Sequence, residues 1–390
     1  MKKSLFLVAL AGLALTGCVK NEVADSVKQS TPIAFESPVL YSNVNTGTKA
    51  NVYGEINTFK YEGTDVTYTY PRTESFRIFA VQHTGNLVNW DGSEITEFNG
   101  DTISRIQNLD AWAPLKDDGG YYYWPDEKKL SFAAFSPADL EQEEGVEVSY
   151  GSEGFVLEGF KVNTDASQQY DMLYSKRALN KVAGDMRTGA EYYNGIPIEF
   201  QHALSSIHFS IRKDQAVQED VVLKKLELEN VINEGDFAEN VNTEDESTYA
   251  ASPNWNENAE VKSSFVSFTG SIKFRETAQY VSAIAAEENE ALKEEHKDPI
   301  NVSHPLLLIP QKLSDDLALK ITYVVGEEQK TKTVQLNLYP TDSAPITEWE
   351  IGKRYTYRIV YGTASEYKDI IYFSPETSEW IPVEVIQIIL

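Results

Sequence analysis

Apolar side chains recur at every second position in segment after segment of this 390-residue chain, a period that favours strands over helices. In ALSSIHFSIR, Ala203, Ile207, Phe209 and Ile211 share one parity, while Ser206, His208, Ser210 and Arg212 share the other. That is the pattern of a half-buried strand, one face in a core and one in water. The same period runs through Leu317, Leu319, Ile321, Tyr323 and Val325 and, after the turn-like GEEQK, through Val334, Leu336 and Leu338. These two runs predict an antiparallel hairpin. Tyr355, Tyr357, Ile359 and Tyr361 repeat the pattern. Many short strands separated by Gly, Pro, Asn and Asp clusters, with an aromatic content of 12%, predict an all-β chain of sandwiches rather than a parallel sheet with crossover helices. One segment dissents. YVSAIAAEENEALKEEHK, residues 280–297, is rich in Ala, Glu and Lys and is expected to be a short helical insertion in the second half. The turn Asn194-Gly195-Ile196-Pro197 places the boundary between an N-terminal β-sandwich domain, 31–195, and a C-terminal one, 196–390.

The only cysteine is Cys18. Upstream of it, Lys2 and Lys3 precede an apolar run from Leu5 to Leu15, too short and wrongly flanked for a spanning helix and typical of a signal peptide, here 1–17. Leu15-Thr16-Gly17-Cys18 resembles the bacterial lipobox, in which the cysteine becomes the first mature residue and carries lipid. Acyl chains contribute about 0.8 kcal/mol per buried methylene, so a multiply acylated Cys18 would anchor the chain without crossing the bilayer. Residues 18–30 are polar, show no period and are expected to form a flexible tether. With no second cysteine, stability has to come from an apolar core.

The net charge is −26, and −28 without Lys2 and Lys3, a balance that disfavours nucleic acid as a partner. A phosphate loop, a dinucleotide fingerprint, HExxH and an EF-hand loop are absent from the sequence. Tyr150-Gly151-Ser152-Glu153-Gly154 lacks the spacing of a nucleophile elbow. His202 and His208, read as one strand, would stand about 20 Å apart at roughly 3.3 Å per residue, too far to share a metal. Carboxylates are so numerous that a pair suited to glycoside hydrolysis carries no information. These readings predict no enzyme, no cofactor and no metal. Tyr121-Tyr122-Tyr123-Trp124-Pro125 reads either as core aromatics of a strand ending at Pro125 or as a platform for stacking on sugar.

Taken in order, YYYWPDEKKLSFAAFSP (121–137), DMLYS (171–175), IPIEFQHALSSIHFSI (196–211), LLLIPQKL (306–313), EWEIGKRYTYRI (348–359) and IIYFSPETSEW (370–380) resemble the fimbrillin family, subunits of type V pili. FRIFAV (76–81) and the INEGDF turn (232–237) add to the resemblance.

The resemblance implies two transthyretin-like sandwiches and a lipoprotein precursor exported to the outer membrane and cell surface. It further implies that a trypsin-like protease removes the tether with the first strand, and that an extended strand from another fimbrial subunit fills the groove. The sequence offers candidates for each part. Ile33, Phe35, Val39 and Tyr41 share one parity in the candidate removable strand. Lys49, in the polar loop 43–54, is the only basic residue between Lys28 and Lys60 and hence the candidate processing site, where shaft subunits of the family usually offer arginine. The tail VEVIQIIL, with Val383, Val385, Ile386, Ile388 and Leu390, is apolar on both faces and has to be buried in its own sandwich or donated to a neighbour, the reading favoured here. The expected partners are other fimbrial subunits, a lipid anchor and the protease. A lipid-retaining anchor or tip subunit, or a surface glycan-binding lipoprotein presenting Trp90, Trp112 or Trp124, is the alternative.

Overall fold

The alternating runs form strands in this computed structural model, which describes residues 32–35, 39–40, 56–61, 64–69, 75–86, 94–105, 112–183, 188–189, 192–193, 195–242, 250–276, 279–280, 305–338, 346–362, 381–382 and 386–389. No α-helix occurs among the described residues. The principal strands are β1 (Val39–Leu40), β2 (Ser75–His83), β3 (Thr102–Arg105), β4 (Trp112–Ala113), β5 (Lys129–Ser136), β6 (Glu147–Gly151), β7 (Gly154–Lys161), β8 (Leu173–Ser175), β9 (Glu199–His202) and β10 (Ser205–Lys213). They are followed by β11 (Val221–Ile232), β12 (Glu234–Ala238), β13 (Asn254–Glu257), β14 (Lys262–Lys273), β15 (Leu306–Leu308), β16 (Ala318–Val325), β17 (Glu328–Gln335), β18 (Lys353–Tyr361) and β19 (Ile386–Ile389). Of the expected helix at 280–297, Tyr280 lies in the short strand Gln279–Tyr280 and the rest falls outside the described residues.

A nine-stranded sheet follows the main order β1-β9-β8-β5-β2-β3-β4. Its central strands β5 and β8 are buried on both faces, because each face meets a core. Phe76, Ile78, Phe132, Ala134, Leu173 and Phe200 point into one cluster, and Phe135 and Tyr174 into another. The second cluster is covered by a four-stranded sheet, β13-β12-β7-β6, and aromatic contacts tie the layers together, Phe135 stacking on Phe155 at 5.2 Å.

The remaining large sheets form the second sandwich. In one, β10 pairs parallel with β18 and antiparallel with β15; in the other the order is β14-β11-β16-β17. The predicted hairpin is β16 with β17, turning through Gly326 and Glu327, where Gly326 takes a φ of +60° that suits a residue without a Cβ.

One antiparallel ribbon serves both sandwiches. β11 pairs with β14 and β12 with β13, so the chain runs through Asn233 from one sheet into the next and returns through residues 258–261. Strands on either side of the boundary expected at Gly195 and Ile196 therefore share sheets: β9 belongs to the nine-stranded sheet, and β12 pairs with β7. A single core cluster extends from Phe135 to Ile359 across the two sandwiches.

Two sequence expectations are corrected here. His202 and His208 do not lie on one strand, because β9 ends at His202 and β10 begins at Ser205 in a different sheet. Nor is β10 half-buried, since Ser206, His208 and Ser210 are at most 1% exposed. Polar parity marks side chains that need hydrogen-bond partners, and a neighbouring side chain serves as well as water. Ser206 and His208 share a hydrogen bond of 2.8 Å.

Candidate functional site

Residues 32–35 and 39–40 close the nine-stranded sheet. β1 is its last strand at one end and β4 its last at the other, and the segment leading into β1 touches both ends. Phe35 bridges antiparallel to Trp112 of β4 and parallel to Ile196, just before β9. Backbone hydrogen bonds fix this seam: Ile33 N to Tyr122 O at 2.7 Å, Phe35 N to Trp112 O at 2.7 Å, Trp112 N to Phe35 O at 3.2 Å and Ile196 N to Ala34 O at 2.9 Å. Further on, Val39 and Leu40 pair parallel with Glu199 and Phe200.

The side chains of the segment fill the space inside. Ile33 is 1% and Phe35 0% exposed. Phe35 meets Phe76 at 6.0 Å and Phe132 at 5.2 Å, both edge-to-face, in a core that also holds Trp112, Trp124 and Phe200. Trp112 and Trp124 thus lie 2% and 7% exposed, which removes them from the alternative in which they are presented to polysaccharide; Trp90 is outside the described residues.

Gly195 belongs to this seat, although in the sequence it reads only as a turn residue. Its φ is +78°, and a Cβ there would stand 2.5 Å from the Phe35 carbonyl carbon and 2.6 Å from that of Ala34. The first strand can pass only because this position lacks a side chain. Gly195→Ala is expected to cost at least about 2 kcal/mol, from left-handed backbone strain plus steric displacement, and to speed hydrogen exchange at the Ile33 and Phe35 amides. Gly85 also has a positive φ, of +85°, but a Cβ at that position would meet nothing within 4 Å. Gly85→Ala should therefore leave those amides unchanged, and equal exchange in the two variants would remove Gly195 from the seat.

The other sequence-derived sites are distributed differently. Cys18, Tyr41 and Lys49 lie outside the described residues, as do Val383, Val385 and Leu390. Ile386 and Ile388 lie in β19, which pairs parallel with β18, Ile386 opposite Tyr357 and Ile388 opposite Ile359. The histidines form local pairs: His202 Nδ1 lies 2.7 Å from Asp171 Oδ2, with both side chains buried. Among the described residues no cluster of His, Cys, Asp and Glu suits a metal ion.

The sequence pattern of the fimbrillin-like family matches residues 72–380. The chain belongs to the fimbrillin-like family. Family membership makes it a fimbrial subunit of the cell surface. The match begins after the first strand and ends before β19, so both segments expected to exchange lie outside it. Solved structures similar to this fimbrillin-like chain include a putative cell adhesion protein from Bacteroides uniformis, 14% identical, TM-score 0.43, covering 74% of this chain and 85% of that one. Another is a fimbrial protein from Bacteroides vulgatus, 15% identical, TM-score 0.44, covering 74% and 88%. A third is a putative cell adhesion protein from Bacteroides ovatus, 14% identical, TM-score 0.41, covering 85% and 92%. No curated protein matches the chain.

Proposed function

We propose that this subunit polymerises by strand exchange at the seam filled by residues 32–35 and 39–40 and serves adhesion through the assembled fibre. The observation that carries this reading is the position of that segment, which joins the two ends of the nine-stranded sheet through a few backbone hydrogen bonds and buried Ile33 and Phe35. Its removal would expose unpaired backbone on β4 and at Ile196, together with an apolar slot. That is the combination that an extended donor strand satisfies, main-chain bonds supplying affinity and alternate side chains specificity.

In this reading Cys18 carries the lipid of an outer-membrane lipoprotein, cleavage after Lys49 by a trypsin-like protease releases residues 18–49, and the tail 383–390 is the donor. Within one chain β19 is held by pairing with β18, and exchange would move it into the seam of the next subunit. The role is structural, with no catalytic residue assigned.

The test uses the chain with Cys18→Ser and residues 1–17 removed, incubated with limiting trypsin and followed by intact mass and unboiled gel electrophoresis. One cut after Lys49 and a growing ladder of denaturant-resistant multimers are expected. A clean cut without a ladder would exclude the shaft role and favour a tip subunit. Resistance at Lys49 in a folded monomer would sink protease-triggered exchange and leave the lipid-retaining anchor.

A further inference from the structure

The aromatic run Tyr121–Trp124 divides its side chains between two tasks. Trp124 enters the core, whereas Tyr123 is 48% exposed. Tyr123 and Tyr122 line a cleft of about 350 Å³ together with Gln82, Glu97 and Lys116, and Ile33 contributes to its wall. This volume falls at the lower end of small-molecule sites, roughly 300–1,000 Å³.

The aromatic wall is held in place from both sides. Leu115 bridges to Tyr121 and Pro32 to Tyr123, and the Tyr122 carbonyl accepts the Ile33 amide at 2.7 Å. The ring of Tyr122 packs on Phe98 at 5.2 Å, with the Lys116 ammonium 5.1 Å from its centroid. Burial raises the pKa of Tyr122, and Asp101 beside it, which accepts a hydrogen bond from the phenol, adds to the shift, so the hydroxyl is held by Asp101 and the ring is fixed in the wall. Around this wall stand polar groups of every kind. Gln82 donates one amide hydrogen to Glu94 at 2.7 Å and keeps its carbonyl oxygen as an acceptor, Glu97 supplies a carboxylate and Lys116 an ammonium.

We propose that this cleft binds a neutral hexopyranose. Such a ring has an apolar C–H face that stacks on a tyrosine and a rim of hydroxyls that both donate and accept, which matches an exposed aromatic flanked by donors and acceptors. One carboxylate and one ammonium at the rim balance, so the cleft selects neither an anionic nor a cationic ligand. The larger cleft near the junction of the sandwiches, about 530 Å³, lacks this stacking face. Its tryptophans are buried and turn their N–H groups inward, Trp255 to Ala203 O at 2.7 Å and Trp349 to Tyr357 Oη at 2.8 Å.

The proposal does not rest on strand exchange, because the uncleaved chain already holds Ile33 in the wall of the cleft. The test titrates the full chain with the methyl glycosides of glucose, galactose, mannose and N-acetylglucosamine, followed by saturation-transfer NMR and tyrosine fluorescence. Saturable binding of at least one sugar is expected, with a Kd on the order of millimolar, as befits a single-ring ligand. Tyr123→Ala should weaken it at least tenfold, while Tyr123→Phe, which keeps the stacking face, should stay within about twofold. An unchanged melting temperature in both variants assigns the loss to the cleft. The proposal is overturned if none of the four sugars saturates, if Tyr123→Ala binds as well as the parent, or if a decaproline peptide binds there and the sugars do not.

Discussion

Replacing Phe35 with alanine is expected to lower the unfolding free energy by about 3–5 kcal/mol, the range for a fully buried phenylalanine. The side chain is 0% exposed and stands edge-to-face against Phe76 and Phe132, so truncation leaves a cavity lined by rings that cannot all collapse into it. Its backbone joins Trp112 to Ile196, so loosening Phe35 loosens both ends of the nine-stranded sheet. Chemical denaturation read by tryptophan fluorescence measures the cost. Phe35→Leu, which refills most of the volume, should lose considerably less. A peptide spanning residues 31–41 added in trans should protect a chain lacking that segment, since it supplies the same hydrogen bonds and the same ring. A loss below about 1 kcal/mol for Phe35→Ala would show that the segment merely lies on the sheet, and the strand-exchange reading would lose its structural basis. The ribbon shared by the two sandwiches and the core continuous between them predict one cooperative transition in this experiment.

The second large effect is a loss of stability in acid that originates at His208. The imidazole is 0% exposed, and burial, reinforced by the Arg354 guanidinium on the adjacent strand β18, holds its pKa well below the ordinary 6.5. Above both values the ring is neutral in folded and unfolded chains, and it adds no pH dependence. As the pH falls below 6.5 the unfolded chain takes up a proton that the folded chain refuses, so stability falls by up to about 1.4 kcal/mol per pH unit until the folded pKa is reached. His208→Asn keeps a hydrogen-bonding group beside Ser206 and removes the titration. Below pH 6.5 the parent should lose more stability than the variant, the gap widening as the pH falls, measured as the shift in urea midpoint at constant m. Parallel stability curves for the two proteins would show that the folded state accommodates the charge.

Which residues form strands was legible because the period of two is local. The hairpin of β16 and β17 needed only two alternating runs and a short turn at Gly326, all within residues 317–338. The candidate site was partly legible. Parity placed Ile33 and Phe35 together, and the structure buries both. Gly195 was not legible as part of the seat, because what requires a glycine there is the backbone of residues 34 and 35, far away in sequence. The polar parity of β10 misled for a related reason: alternation reports that two faces differ and says nothing about what covers the second. In the run Tyr121–Trp124, adjacent aromatic residues of similar propensity were assigned to core or cleft only by their neighbours across the seam.

The sequence by itself determined an all-β chain and the local hairpins. These follow from side-chain period, turn chemistry and composition within short windows. Tertiary structure alone decided that residues 32–35 join β4 to the start of β9, that one ribbon builds sheets in both sandwiches, and that a serine and histidine face is buried. The reason is physical. Distant strands are joined by backbone N–H and C=O groups that every residue other than proline possesses in the same form, so the choice among partners is made by the packing of complementary side chains once the chain has folded.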